Sequence, residues 1–251
     1  MATTHQPGSS MKDLGWMESP GKISGLPSGL EYLAEIDQLL IHQQIEIFEA
    51  LTNIDTKNRY AVRNTMGQQV YFVHEESDFW MRICCQSERG YLLHIVDNFG
   101  QEVIRVERPF KWCAGCCWFA NADCCAWEVN VESPPGNIIG RVRQNQSPWK
   151  PYFDIIDASG NSVLKIRGPC CACQEICCRS DVEFNVLSAD EGSEVGKISK
   201  QWGGLVREWM TAADNFGVSF PRDMDAKVKA LMLAAAFLVD YMYFEMDYHV
   251  S

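Results

Sequence analysis

The sequence predicts a mostly-β domain, a closed antiparallel barrel or a sandwich, packed around an apolar C-terminal helix. Three observations carry that prediction. A strand–turn–strand pattern recurs at 62–73 (VRNTMGQQVYFV), 95–109 (IVDNFGQEVIRVERP) and 155–169 (IIDASGNSVLKIRGP). Around it, 91–150 and 152–206 read as two copies of one β unit of about four strands. The chain then closes on KALMLAAAFLVDYMYFE (229–245), where Asp240 is the only charge between Lys229 and Glu245.

Taken in order, residues 1–28 are rich in Gly, Ser and Pro and lack an apolar leader-like run, so a disordered arm on a cytosolic protein is expected. A folded domain is expected over 29–246 and a short tail over 247–251. Its first segment, GLEYLAEIDQLLIHQQIEIFEALT, suits a helix or a helix followed by a strand. Each repeated hairpin then runs from a β-branched stretch to Asn or Asp, two further residues, Gly, and a second alternating run. That is the pattern of a tight turn whose glycine takes positive φ. Beyond the hairpins the copies stay aligned at an offset of 60: Pro109 with Pro169, Cys113 with Cys173, Cys117 with Cys177. After a slip, WEVNV (127–131) matches VEFNV (182–186), and IIGRV (138–142) matches EVGKI (194–198). A barrel is favoured over a sandwich because the apolar terminal segment needs an interior to fill.

Composition narrows the function. A net charge of -11 argues against nucleic acid as a partner, since phosphate neutralisation needs a basic face. It also argues against passive adhesion to anionic lipid. The five histidines (5, 42, 74, 94, 249) are scattered with no nucleophile beside them, and no phosphate-cradling glycine loop is present, so no catalytic residues are assigned.

Twelve cysteines in a cytosolic protein need a reason other than disulfides. They gather in CAGCCWFANADCC (113–125) and CCACQEICC (170–178). Cys113-x-x-Cys116 and Cys170-x-x-Cys173 have zinc-ligand spacing, although 53 residues separate the two pairs. Palmitoylation of Cys113, Cys116, Cys117, Cys124 and Cys125, among Trp112, Trp118 and Phe119, is the second reading, since stable anchoring takes two or more membrane signals. Small apolar packing on a loop is the third.

Five segments carry a resemblance: GLEYLAEIDQLLIHQQIE, SPPGNIIGRV, VLKIRGPCCAC, VGKISKQWGG and ADNFGVSFPRDMDAKVKALMLAAAFLVDYMYFE. In that order, from Gly29 to Glu245, they resemble the phospholipid scramblase family. The resemblance implies a tubby-like barrel of about twelve strands around a central helix. It implies calcium-dependent, ATP-independent movement of phospholipids between leaflets, at the cytosolic face of the plasma membrane, with palmitoylation at the first cysteine cluster. It also implies an importin-binding segment at Gly196, Lys197, Ile198, Ser199 and Lys200, and with it a nuclear pool. The proline-rich arm with PPxY and PxxP motifs found in several members is not matched, so WW and SH3 partners are not implied. Because one helix cannot form a lipid path alone, scrambling would require self-association or bilayer thinning. The contrasting function is an acyl-anchored adaptor that binds proteins or phosphoinositides and moves no lipid.

The family's calcium loop falls on Ala212–Asp223. Ala212 replaces its first acid, leaving Asp214, Asn215, Ser219 and Asp223 as oxygen donors for Ca2+. Asp214-Asn215-Phe216-Gly217 also repeats Asp97-Asn98-Phe99-Gly100, so a second hairpin turn is the competing expectation.

The helix expected at 226–245 would be about 30 Å long, enough to span a bilayer. Its apolar residues, among them Leu231, Leu233, Phe237 and Leu238, favour insertion by about 0.3–0.6 kcal/mol each. Asp240 opposes it by about 2.5–3.5 kcal/mol. Lys227 and Lys229 are expected to precede the helix. Five alanines (226, 230, 234, 235, 236) allow close approach of surrounding strands, and a core helix is favoured over a span.

Overall fold

A computed structural model describes residues 15–44, 58–77, 89–114, 117–148, 150–169, 182–200 and 215–244. A one-turn helix, α1 (Glu31–Ala34), leads into twelve strands. These are β1 (Gln38–Gln43), β2 (Arg59–Arg63), β3 (Gln69–Glu76), β4 (Tyr91–Val96), β5 (Glu102–Arg108) and β6 (Glu128–Glu132). They continue as β7 (Ile138–Gln144), β8 (Tyr152–Asp157), β9 (Ser162–Arg167), β10 (Val182–Ser188), β11 (Glu194–Lys200) and β12 (Asn215–Ser219). Each strand pairs antiparallel with the next, and β12 pairs with β1, so the sheet closes as the sequence predicts. Helix α2 (Ala226–Val239), followed by a π-helical turn (Asp240–Phe244), fills the interior.

The repeat is visible in atomic detail. In the β4–β5 turn, Asp97 Oδ1 accepts from the amides of Phe99 and Gln101, both at 2.9 Å. In the β8–β9 turn, Asp157 Oδ1 accepts from Ser159 and Asn161, again both at 2.9 Å. Asn64 does the same for Met66 and Gln68 in the β2–β3 turn. Each hairpin also carries a register shift beside its turn, at Val62/Arg63, Ile95/Val96 and Ile155/Ile156. The side-chain oxygen replaces a strand carbonyl, and the bulge absorbs the offset.

Gly140 and Gly196, equivalent in the two copies, explain how the wall approaches the helix. A Cβ on Gly140 would fall 2.8 Å from Leu231 Cδ1. One on Gly196 would press on the Ser219 carbonyl and lie 3.3 Å from Met232 Cε. Small residues on both sides make the barrel narrow enough for α2 to touch β6, β7, β8 and β12. From Ala230 to Val239 every residue is at most 1% exposed. A helix apolar on all sides must be enclosed, and here the enclosure is protein.

Two features correct the sequence reading. Within the expected disordered arm, residues 15–17 lie on the barrel: Trp16 bridges to Gln69, and Met17 is buried with its amide donating to the Gln69 carbonyl at 2.8 Å. Lys229, expected ahead of the helix, lies inside it and is fully buried. Its ammonium donates to the carbonyls of Leu33 (2.9 Å), Ile36 (2.7 Å) and Arg222 (2.7 Å), and sits 5.1 Å from the Phe220 ring centroid. Burial lowers its pKa, against the opposing pull of the Asp37 and Asp223 carboxylates. Asp225 caps the helix start, accepting from the Lys227 amide at 2.7 Å.

Lys229→Met distinguishes a core helix from a span. It makes the segment more apolar, which favours a span, but takes the ammonium donor away from the Leu33, Ile36 and Arg222 carbonyls. The barrel is expected to lose about 3 kcal/mol, read from chemical unfolding.

Candidate functional site

Up-and-down connectivity gives the barrel two unlike mouths. Connections after β2, β4, β6, β8 and β10 are short turns at one mouth, where α1 and the start of α2 also lie. Connections after β1, β3, β5, β7, β9 and β11 leave from the other, towards which α2 runs. The strand ends that bracket both cysteine clusters therefore meet at the mouth where the helix finishes.

A buried polar network closes that mouth around the helix end. Tyr60 donates its hydroxyl to Asp240 Oδ2 at 3.1 Å, and Tyr241 donates to Glu75 Oε2 at 2.9 Å. Arg89 Nε donates to Glu75 Oε1 at 3.1 Å, its guanidinium lying 5.0 Å from the Tyr241 ring centroid. Asn58 Nδ2 reaches the Tyr241 hydroxyl at 3.3 Å. Desolvation pushes the Glu75 pKa up, but the Arg89 charge and hydrogen bonds from Arg89, Ser77 and Tyr241 outweigh it and hold the carboxyl below its ordinary value.

The β5–β6 connection carries the sequence-predicted thiols. Lys111 organises it: Nζ donates to the Asp123 carbonyl (2.7 Å), the Ala126 carbonyl (3.0 Å) and Glu128 Oε1 (2.9 Å). Arg143 from β7 pairs with Asp123 at 2.9 Å. Folding the connection back brings Cys113 against Cys124 and Cys125. Cys113 Sγ donates to the Cys124 carbonyl at 3.0 Å, Cys125 Sγ lies 2.9 Å from Cys113 Sγ, and Cys124 and Cys125 Sγ are 3.7 Å apart. Hydrogen bonds from Cys113 and Cys125 lower the Cys124 pKa, helped by the Lys111 charge. The bond to Cys113 and desolvation push the Cys125 thiol up to about 12.

On the same connection Trp112 is 90% exposed, Trp118 57% and Phe119 64%. Trp118 and Phe119 belong to a 3₁₀ turn (Cys117–Phe119), and Trp112 packs edge-on to Phe110 at 5.4 Å. Met66 and Phe99 are exposed on single turns at the opposite mouth, but no described cysteine accompanies them. Beside the aromatic loop's mouth, the outer wall holds a mostly apolar groove of about 690 Å³, where Pro148, Pro151 and Leu187 stand beside Lys150, Tyr152 and Arg167. Arg167 pairs with Glu191 at its rim.

Other expected residues are placed differently. Cys116, Asp214 and residues 170–178 lie outside the described residues, and Cys117 and Asn215 are described in backbone only. Asn215–Ser219 is neither a turn nor a loop but strand β12, paired on both sides with β1 and β11. The DNFG turn at 97–100 thus has no structural twin at 215–217. Four residues of strand separate Asn215 from Ser219 by about 13 Å, too far for both to ligate one ion at 2.3–2.6 Å. Ser219 Oγ instead accepts from the Lys197 amide at 3.2 Å, and the Asp223 charge acts on Lys229. Gly196, Lys197, Ile198, Ser199 and Lys200 form β11, hydrogen-bonded to β10 and β12, so this segment cannot bind as an extended peptide without opening the wall. Leu231, Leu233, Phe237 and Leu238 are core, and Asp240 caps them at the mouth.

The family model described as Scramblase matches residues 17–246. The chain belongs to the scramblase family. Similar relatives include phospholipid scramblase 1 of Mus musculus, 49% identical over 92% of this chain and 68% of its own length. Phospholipid scramblase 2 of Bos taurus is 47% identical over 92% of this chain and 76% of its own. Phospholipid scramblase family member 5 of Homo sapiens is 43% identical over 88% and 78%. No solved structure matches this scramblase-family chain.

The mouth network sets an acid dependence. A carboxyl held below its ordinary value of 4.5 stabilises the fold in full above that pH and loses the contribution as pH falls through the lowered value. Glu75→Gln is expected to cost about 3 kcal/mol at neutral pH by removing the buried carboxylate that Arg89 and Tyr241 share. It should also flatten the pH dependence of unfolding below about pH 4.5, measured by denaturant melts across pH.

Proposed function

We propose that this scramblase-family chain moves phospholipids between membrane leaflets, held with its thiol- and aromatic-bearing mouth against the cytosolic face of the plasma membrane. Supporting the activity is the similarity, over 92% of the chain, to relatives named phospholipid scramblases. The membrane-facing orientation rests on Trp112, Trp118 and Phe119 standing exposed beside Cys113 and Cys124. Large aromatics are costly in water and favoured at the headgroup level, and acyl chains on neighbouring thiols add the second signal that stable anchoring needs. Among the described residues no helix is long and apolar enough to cross a membrane.

One observation favours the second reading, an acyl-anchored adaptor: α2 fills the interior, so lipid has no route through the described barrel. Exchange by this chain therefore uses the outside of the molecule, with Lys150 and Arg167 in the groove beside the mouth as headgroup contacts and bilayer thinning or self-association completing the path.

Purified chain, lipid-coupled through its thiols, is placed on vesicles of mixed zwitterionic and anionic phospholipid carrying a fluorescent lipid. Leaflet exchange is read by one-sided quenching, with and without calcium. Exchange above protein-free vesicles is expected. Vesicle binding of the uncoupled chain should weaken about tenfold or more when Trp112, Trp118 and Phe119 are replaced by Ser. Binding without exchange in either condition would establish the adaptor instead.

A further inference from the structure

We propose that Cys113, Cys124 and Cys125 form a binding site for a thiophilic metal ion, Zn2+ being the expected occupant, within the single β5–β6 connection. The inference does not rest on the membrane reading.

The three Sγ atoms all lie within 4.8 Å of one another, although Cys113 is separated from the other two by a loop that contains the 3₁₀ turn. Tetrahedral zinc with Zn–S bonds of about 2.3 Å requires S···S spacings of about 3.8 Å. Cys124 and Cys125 already stand at 3.7 Å. Cys113 and Cys125, at 2.9 Å, need to part by about 1 Å to admit the ion. That spacing is too long for a disulfide, whose sulfurs are about 2.0 Å apart.

Packing does not explain the convergence. Cys113 and Cys124 are exposed and Cys125 is only half-buried, so the trio is not filling a core. The loop closure is built by other groups: Lys111 ties Asp123, Ala126 and Glu128 together, and Arg143 holds Asp123. Those contacts hold both ends of the loop without using any sulfur. Lys111 also supplies a positive charge beside a site where three thiolates and a divalent ion leave one net negative charge. Binding replaces three S–H bonds with three metal–sulfur bonds and releases three protons to solvent. Among the described residues no fourth protein ligand joins the three thiols. Acylation of any of the three thiols removes a ligand, so metal binding and lipid modification at this loop exclude each other.

The test uses the full chain, reduced and unacylated, loaded with Zn2+ and freed of excess. Metal per chain is measured for the wild type and for C113S/C124S/C125S. Wild type is expected to hold one equivalent more than the triple variant, whatever the remaining cysteines bind. Equal content, or no metal in either, overturns the site. A second reading needs no variant: alkylation of each cysteine in the wild type is followed by peptide mass spectrometry. Zn2+ should slow modification of Cys113, Cys124 and Cys125 about tenfold or more, reversed by a chelator. Unchanged alkylation of these three, or a Cys113–Cys125 disulfide in the reduced protein, overturns it equally.

Discussion

Everything in this structure depends on a helix that is held inside the barrel at both ends by buried polar contacts. At one end the Lys229 ammonium gathers three backbone carbonyls, from Leu33, Ile36 and Arg222. At the other, Tyr60 holds Asp240 while Glu75 and Arg89 hold Tyr241. Between them Leu231, Leu233, Phe237, Leu238 and Val239 are buried, each contributing roughly 1.5–3 kcal/mol of apolar transfer. A bilayer offers those side chains an equally apolar home, so transfer alone does not decide where the helix sits. The wall decides it. Val129, Val142, Phe153, Ile155 and Val218, fully buried now, lose their packing partners if α2 leaves. The polar anchors at each end then lose theirs too, and an unpartnered buried charge costs several kcal/mol.

Keeping the helix inside moves the membrane question to the mouths. The two differ in kind, because an up-and-down barrel with short turns at one end sends all its long connections to the other. The mouth with long connections carries exposed Trp112, Trp118 and Phe119 next to accessible thiols, and the outer groove with Lys150 and Arg167 opens nearby. The same loop supports two incompatible uses of its sulfur, lipid attachment and metal coordination. A metal-bound loop would present its aromatics on a fixed scaffold, whereas an acylated one would be tethered by its chains.

Much of this was legible in the sequence. The hairpin pattern, the two-copy β unit and the enclosed helix follow from period-two alternation, turn chemistry and the five alanines, and each is local. The role of Gly140 and Gly196 was half-visible, since the repeat paired them but could not show Leu231 and Met232 behind them. What stayed hidden was non-local. Lys229 looked like a helix-flanking charge because its acceptors lie about 195 residues away in sequence, and Glu75 and Arg89 carried no motif at all. The DNFG tetrapeptide shows the limit most plainly. At 97–100 a following strand lets Asp97 close a turn, whereas at 215–217 pairing with β1 and β11 draws the same letters straight. Of the candidate thiols, three were brought together through Lys111 and Arg143, which no cysteine spacing could announce.

Amide hydrogen exchange of the chain, free and bound to vesicles, tests the enclosed helix most directly. If α2 stays in place, residues 230–239 and the wall strands β6, β7, β8 and β12 keep the same strong protection in both states, and changes are confined to the mouth with the long connections. If wall strands lose protection on vesicles while 230–239 remain protected, the helix has exchanged protein for lipid, and the account of a permanent core is wrong.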